Sequence, residues 1–552
     1  MNKRILAIVM ACCLILLAAC SNNGNDGGGS GNGGKESGAE PGQAVNDSGE
    51  VDYAFGKYDE PVTIHTIRAE YSSAKFPKGD DMTNNVWTRA YKERFNIEVV
   101  TDWVTDEYDT KLNLAISSNE LPDVFTVNAT QLQQLIEADM IMDLTDVFGK
   151  YASERVKGYT EIDSSSYESG KRDGKLYGIP QFHWGFIDQP DFIWIRNDWK
   201  EALGLPDPQS IDDVKNIALK FMEAYGGYGM AVDQSLDYLN ALAIAWGAHP
   251  DMWLKGEDGS IVYGSVQPEM KDALAAWAEW YKLGIIDPEF PIKDFDAMNA
   301  NVVAGKVGVQ PYYQWWGYNP GVDVVTNQGK DAVFYPYAIK QADGSDAKQS
   351  IFFANGAYTV VNKKSKHPEA AIKLLNFYAY MLDEGVQHES SETVSAFIDN
   401  DIAHVTGAFK IINPGTDYEQ FSRVSEALTS GDTSAFTTSG MWQKYNNSVE
   451  FMKNGTPAAT GDYLQQGAPK NAYGLSKEVI DNKHYVETAL WGAPPKELAD
   501  YGSTLDDILT EGYTKIIMGA ETIDYFDTVV ANWKKAGGDA ASAAVNAKYG
   551  GE

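Results

Sequence analysis

The chain has 552 residues, a formal net charge of −33 at neutral pH, and 43% hydrophobic and 12% aromatic residues. That length and apolar content supply a large folded body of two or three domains, while the acidity excludes nucleic acid or an anionic lipid surface as an electrostatic partner. Of three cysteines, Cys12 and Cys13 lie in the first apolar run, which leaves Cys20 alone in the rest of the chain; no intrachain disulfide and no cysteine-held metal is expected.

Lys3 and Arg4 precede an apolar run over residues 5–17, which ends in Leu17-Ala18-Ala19-Cys20. This is the layout of a secretory signal over residues 1–20, with an apolar stretch too short for a comfortable membrane span. A cysteine after two small residues can be cleaved free and carry a diacylglyceryl group, as in bacterial lipoproteins. Residues 21–50 are Gly, Ser, Asn and acidic residues with almost nothing to bury, so they read as a flexible tether between a lipid and a folded body.

The body opens with alternating β-branched and polar residues at 62–67, a predicted strand, followed by a helix over 84–95 and a strand over 97–100. A helix over 108–118, a strand over 122–127 and a helix over 130–138 continue the alternation. Strand–helix repetition of this kind predicts an α/β fold with a parallel sheet covered by helices, and ligands of such sheets sit beyond the carboxyl ends of strands, here near Arg68 to Tyr71 and Asn128. Residues 192–199 form an extended apolar stretch running into a helix, as expected where a chain crosses between two lobes. Residues 268–283 put Leu274, Trp277, Ala278 and Tyr281 on one helical face and stop at Gly284. A β-rich run at 351–361 precedes a helix that starts at Pro368 and has Ala371, Leu374, Leu375, Tyr378 and Leu382 on one face.

The seven histidines are scattered, with no pair at metal-binding spacing, and no phosphate-binding glycine loop or nucleophile elbow is present. Acidic pairs such as Asp188 with Asp191 could cleave a glycoside, but 78 acidic residues create such pairs by chance. Aromatic clustering is the stronger signal: His183-Trp184-Gly185-Phe186, and Tyr312-Tyr313-Gln314-Trp315-Trp316-Gly317-Tyr318. A sugar ring has an apolar C–H face and a hydroxyl rim, so its site needs flat rings beside Asp, Asn, Gln or Arg. Trp442 and Trp491, each near a glycine, are further candidates. For each ring, ordinary core packing is the competing reading.

With these residues in view, the chain resembles the extracellular solute-binding proteins of sugar ABC importers, family 1, in their large lipoprotein subgroup of Gram-positive bacteria. The likeness is carried by Leu121-Pro122-Asp123-Val124, Tyr177-Gly178-Ile179-Pro180, Trp194-Ile195-Arg196-Asn197-Asp198-Trp199, Trp280 to Pro288, His367-Pro368-Glu369-Ala370-Ala371 and Ile517-Met518-Gly519, in order over most of the chain. The resemblance implies a two-lobed, hinged α/β fold of the type II periplasmic-binding kind. One lobe would hold residues 51–185 with about 350–410, the other about 186–349 with 411–552.

It implies capture of a carbohydrate, an oligosaccharide by preference, by lobe closure, with no covalent chemistry, no cofactor and no metal. Residues 217–232 lack the acidic calcium loop of the alginate-binding relatives. Implied partners are ABC permease subunits and, through Cys20, the outer face of the cell membrane, with the protein a monomer. Ligand contacts carried over by segment are Glu70, Tyr71, Asn128, Trp184, Tyr312, Tyr313, Trp315, Trp316, Asn355, Trp442 and Trp491; Arg68 and Glu70 would otherwise be surface ion-pair residues. Two other functions stay open on the sequence: a lipid-anchored glycoside hydrolase or polysaccharide lyase, and a surface adhesin or sensor.

Overall fold

β1 (Val62–Ala69) and β2 (Ile97–Thr105) pair in parallel, joined by α1 (Val86–Phe95). The computed structural model in which they are seen describes residues 52–71, 76–183, 185–383 and 406–550; the signal, Cys20, the tether and Trp184 lie outside the described residues. Asn85 fixes the start of α1 by accepting from the backbone N–H groups of Trp87 and Thr88, and Asn96 ends it in the left-handed conformation. The helix lays Trp87, Tyr91 and Phe95 into the core, each full burial contributing roughly 1.5–3 kcal/mol. Tyr108–Ser118 and Ala129–Glu137 are helices flanking β3 (Val124–Val127).

The parallel sheet predicted from this alternation is only partly realised. β1 and β2 are parallel, but β3 pairs antiparallel with the strand Tyr358–Val361, which pairs antiparallel with Gly178–Pro180. The central strand of that trio arrives from far along the chain and in the opposite direction, which local periodicity does not encode. The β-rich run at 351–361 is likewise two strands, Gln349–Ile351 and Tyr358–Val361, in different sheets.

The helix Pro368–Asp383 is buried almost all round, not on one face: Lys373 and Asn376 are as enclosed as Leu374 and Phe377. Lys373 donates to the carbonyl of Gly56 (2.9 Å), and Asn376 donates to those of Ala54 (3.1 Å) and Tyr151 (2.8 Å). Its polar residues therefore clamp the segment leading into β1, and their buried groups stay satisfied.

A second core is built on a four-stranded sheet in the order Phe334–Tyr337, Asp191–Arg196, Val307–Tyr313, Tyr228–Met230. The stretch predicted to cross between lobes is thus an inner strand of this sheet, and the crossing precedes it. Helices Ile211–Tyr225, Glu269–Lys282 and Lys496–Ile517 pack with it, burying Phe221, Trp277 and Ile517 in one cluster. As predicted, Gly284 follows the second of these helices with φ +75°.

Two segments join the cores side by side. The N–H of Gln181 donates to the carbonyl of Ala357 (3.0 Å), that of Phe182 to Asn355 Oδ1 (3.1 Å), and that of Phe352 to Gln189 Oε1 (2.8 Å). Gln349 and Asp191 exchange two further bonds at 3.0 and 3.1 Å. A third connection follows, where the N–H of Ile412 donates to Gln181 O (2.8 Å). At Gly185 (φ +95°) a Cβ would meet the carbonyl oxygen of Pro414 at 2.0 Å, so only glycine lets these segments approach.

Candidate binding site

The strand Val307–Tyr313 delivers the aromatic cluster to the seam between the cores, and the turn after it sorts the rings. The N–H of Trp316 returns to the carbonyl of Tyr313 (3.2 Å) and that of Tyr318 to Trp315 (3.0 Å). Tyr312 and Trp316, both expected to contact ligand, are instead fully buried. Tyr312 stacks on Tyr238 (4.8 Å), and Trp316 stacks on Trp194 (5.3 Å) while its Nε1 donates to Gln310 Oε1 (2.8 Å). They are core for two reasons: Tyr312 lies on a strand enclosed on both faces, and the turn after it folds Trp316 back between Trp194 and Phe334. Tyr313 and Trp315 stay partly exposed, stacked on each other at 5.6 Å and 15°.

Trp315 lines a cavity of about 470 Å³ that both cores contribute to, with Tyr159, Leu382 and Asp383 from the first and Gln314, Lys444 and Tyr473 from the second. Its polar groups form a chain. Gln465 donates to Gln314 Oε1 (2.6 Å), Gln314 donates to Asp188, and the Tyr473 hydroxyl lies 3.2 Å from Asp188 and 3.0 Å from Asp417. Lys444 donates to Asp417 at 2.7 Å. Burial, and then the neighbouring Asp417, push the Asp188 carboxyl up to about 7.

Tyr313, on the other side of the stacked pair, lines a second cavity of about 290 Å³ with Asp191, Asp237, Asn240, Asp251 and Phe352. A third, of about 280 Å³, holds Trp491, Phe352, His183 and Tyr549; the Tyr549 hydroxyl donates to the Trp491 carbonyl (2.6 Å). All three cavities take residues from the crossing segments.

The remaining expected contacts are spread more widely. Asn128 is the N-cap of the helix Ala129–Glu137, and its side-chain oxygen accepts from Gln131 N (2.9 Å), so that oxygen is used locally. Asn355 is buried and its oxygen ties the crossing segments together. Glu70 and Tyr71 are exposed just beyond β1, outside the three cavities. Trp442 is 42% exposed and sits edge-on to Phe436, while its helix turns Gly440, Gln443 and Lys444 to the Trp315 cavity. Their i, i+3, i+4 spacing puts these three on one helical face. Arg68 is no surface ion-pair residue: it is buried and donates to the carbonyls of Met82 (2.5 Å) and Gly407 (3.0 Å).

Among the described residues no His, Cys, Asp and Glu group is placed to hold a metal ion, and no helix is long and apolar enough to cross a membrane. A ring wall beside amide, carboxyl and hydroxyl groups suits a polyhydroxylated ligand, whose C–H face packs on indole while its hydroxyls exchange hydrogen bonds with the rim.

The model of the bacterial extracellular solute-binding protein family matches residues 74–380. Lipoprotein LipO of Bacillus subtilis (strain 168) is 22% identical over 487 residues, covering 82% of this chain and 86% of that protein. The polygalacturonan/rhamnogalacturonan-binding protein YtcQ of the same strain is 23% identical over 466 residues, 80% of this chain and 84% of that one. Among solved structures, an HMO-binding, ABC-transporter-associated solute-binding protein from Bifidobacterium longum infantis ATCC 15697 superposes with a TM-score of 0.61 at 13% identity, over 89% of this chain and 98% of that chain. The last likeness is one of fold: two α/β lobes about a hinge.

Proposed function

We propose, since this chain belongs to the bacterial extracellular solute-binding protein family, that it captures an oligosaccharide outside the cytoplasm and delivers it to the membrane subunits of an ABC importer. The lobes are residues 51–185 with about 350–410, and about 186–349 with 411–552, a division supported by separate hydrophobic clusters on its two sides, with Ile411 at the boundary packed in a cluster of the first. Cys20 carries the lipid, and residues 21–50 give the body reach from the membrane surface. Ligand bound between the lobes is held from both sides and so stabilises the closed arrangement.

One observation carries this reading: the cavity at Trp315 is lined by both cores and by the crossing residue Asp188, so a ligand there is held by both lobes and by their hinge. The sugar-binding names of YtcQ and of the Bifidobacterium protein support a glycan as the occupant. Thermal unfolding against a panel of oligosaccharides is the test, because a ligand that binds only the native state raises the midpoint with concentration. A rise with one sugar class, and intact sugar after long incubation, is the expected result. Breakdown of the sugar would instead establish an enzyme, and a silent panel would favour a peptide or protein partner.

A further inference from the structure

The cavity beside Tyr313 has acids as its only charged lining among the described residues. Its described lining includes three carboxylates, Asp191, Asp237 and Asp251, and no Lys, Arg or His. Hydrogen-bond acceptors are left over. Asp191 Oδ1 is buried with no partner, although the backbone of the same residue is bonded to Gln349. Asn240 donates its Nδ2 to Asp251 Oδ2 (2.9 Å), which turns its own buried Oδ1 away, and that oxygen too has no partner. Asp251 is already supplied by Ser265 (3.1 Å) and Tyr263 (3.2 Å). Buried acceptors without donors are costly and rare in folded proteins, and here two belong to residues of one cavity wall, where a small side-chain rotation would present them to a donor. Burial pushes Asp191 up to about 7, and burial with the nearby Asp251 pushes Asp237 up to about 6, as expected where no cation offsets the acids. In the neighbouring Trp315 cavity the ammonium of Lys444 is engaged by Asp417 at 2.7 Å.

We propose that Asp191, Asp237 and Asn240 form a subsite that accepts hydrogen bonds from the hydroxyl or amino groups of a non-anionic sugar unit and rejects uronate units, with the stacked rings of Tyr313 and Trp315 as its wall. The assignment rests on the oligosaccharide reading above and narrows it. It separates this chain from its relative named for binding polygalacturonan, an anionic polymer. A ligand carboxylate here would face three acids with no counter-charge, whereas a hydroxyl or ammonium supplies the missing donors.

The test is calorimetric titration of the whole protein with neutral gluco-, galacto-, xylo- and fructo-tetrasaccharides, partly de-N-acetylated chitotetraose, and tetragalacturonate. At least one neutral or amino sugar is expected to bind about ten-fold or more tightly than tetragalacturonate. Asp237→Asn is expected to weaken that sugar by about ten-fold and to narrow its advantage over the uronate; Asp191→Asn, near-isosteric and checked for an unchanged ligand-free fold, is expected to act in the same direction. Tetragalacturonate binding as tightly as the best neutral sugar would overturn the subsite, as would two variants that leave both affinities unchanged. Silence across the whole panel would overturn the oligosaccharide reading itself.

Discussion

Two sets of buried polar groups in this protein are treated in opposite ways. In the first core, Arg68 spans the carbonyls of Met82 and Gly407, Lys373 holds Gly56, and Asn376 holds Ala54 and Tyr151. At the seam, Asp191 and Asn240 each leave a buried oxygen without a donor, and Asp188 and Asp417 share one tyrosine hydroxyl. Closed polar networks fix a chain in place, and open ones store a demand that a ligand can meet. The same contrast runs through the aromatic cluster, where Trp316 is closed into the core and Trp315 is open to a cavity.

Breaking the closed side should cost the most stability. Trp316→Ala removes a fully buried indole stacked on Trp194, and urea unfolding should show a loss of about 3–5 kcal/mol. The open side should reveal itself through pH. Burial raises the Asp191 carboxyl from 3.8 to about 7, so between those values the folded protein binds more protons than the unfolded chain. That share of stability is present below about pH 4 and is lost as pH rises through 7, by about 1–3 kcal/mol. Asp191→Asn should flatten this decline in unfolding curves taken at pH 5 and pH 8; an unchanged slope would place the titration elsewhere. A smaller effect belongs to Asn128, whose cap is purely local: Asn128→Ala should lower stability by about 1 kcal/mol in the same assay and leave ligand affinity alone. Trp315→Ala removes a half-buried ring packed on Tyr312 and Tyr313 and should cost about 1 kcal/mol in urea, well below Trp316→Ala, yet ligand-induced stabilisation should vanish. Equal stability losses for Trp315→Ala and Trp316→Ala would erase the distinction between open and closed rings.

How far the sequence reached depends on how local each decision was. Gly284 marks a helix end through contacts within a few residues, and that end was legible, as was the end of α1 at Phe95, while its start was read two residues early. Lys373 was hidden, because its partner Gly56 is 317 positions away. Asp188 was visible only as one of many acids; Tyr473, which makes it part of a site, lies 285 positions along the chain. Trp442 drew notice as a ring near a glycine, while Gln443 and Lys444 beside it, which line the cavity, carried no such mark.

By itself the sequence determined an α/β body, the aromatic cluster at 312–318 and the family pattern, because periodicity, caps and motif order are written in neighbouring residues. Only the tertiary structure decided which rings of that cluster face a cavity, that Tyr358–Val361 enters antiparallel between β3 and Gly178–Pro180, and that Asp191 is left without a donor. Each of these depends on groups brought together from distant parts of the chain, and burial, which sets both packing and charge, is a property of the assembled fold.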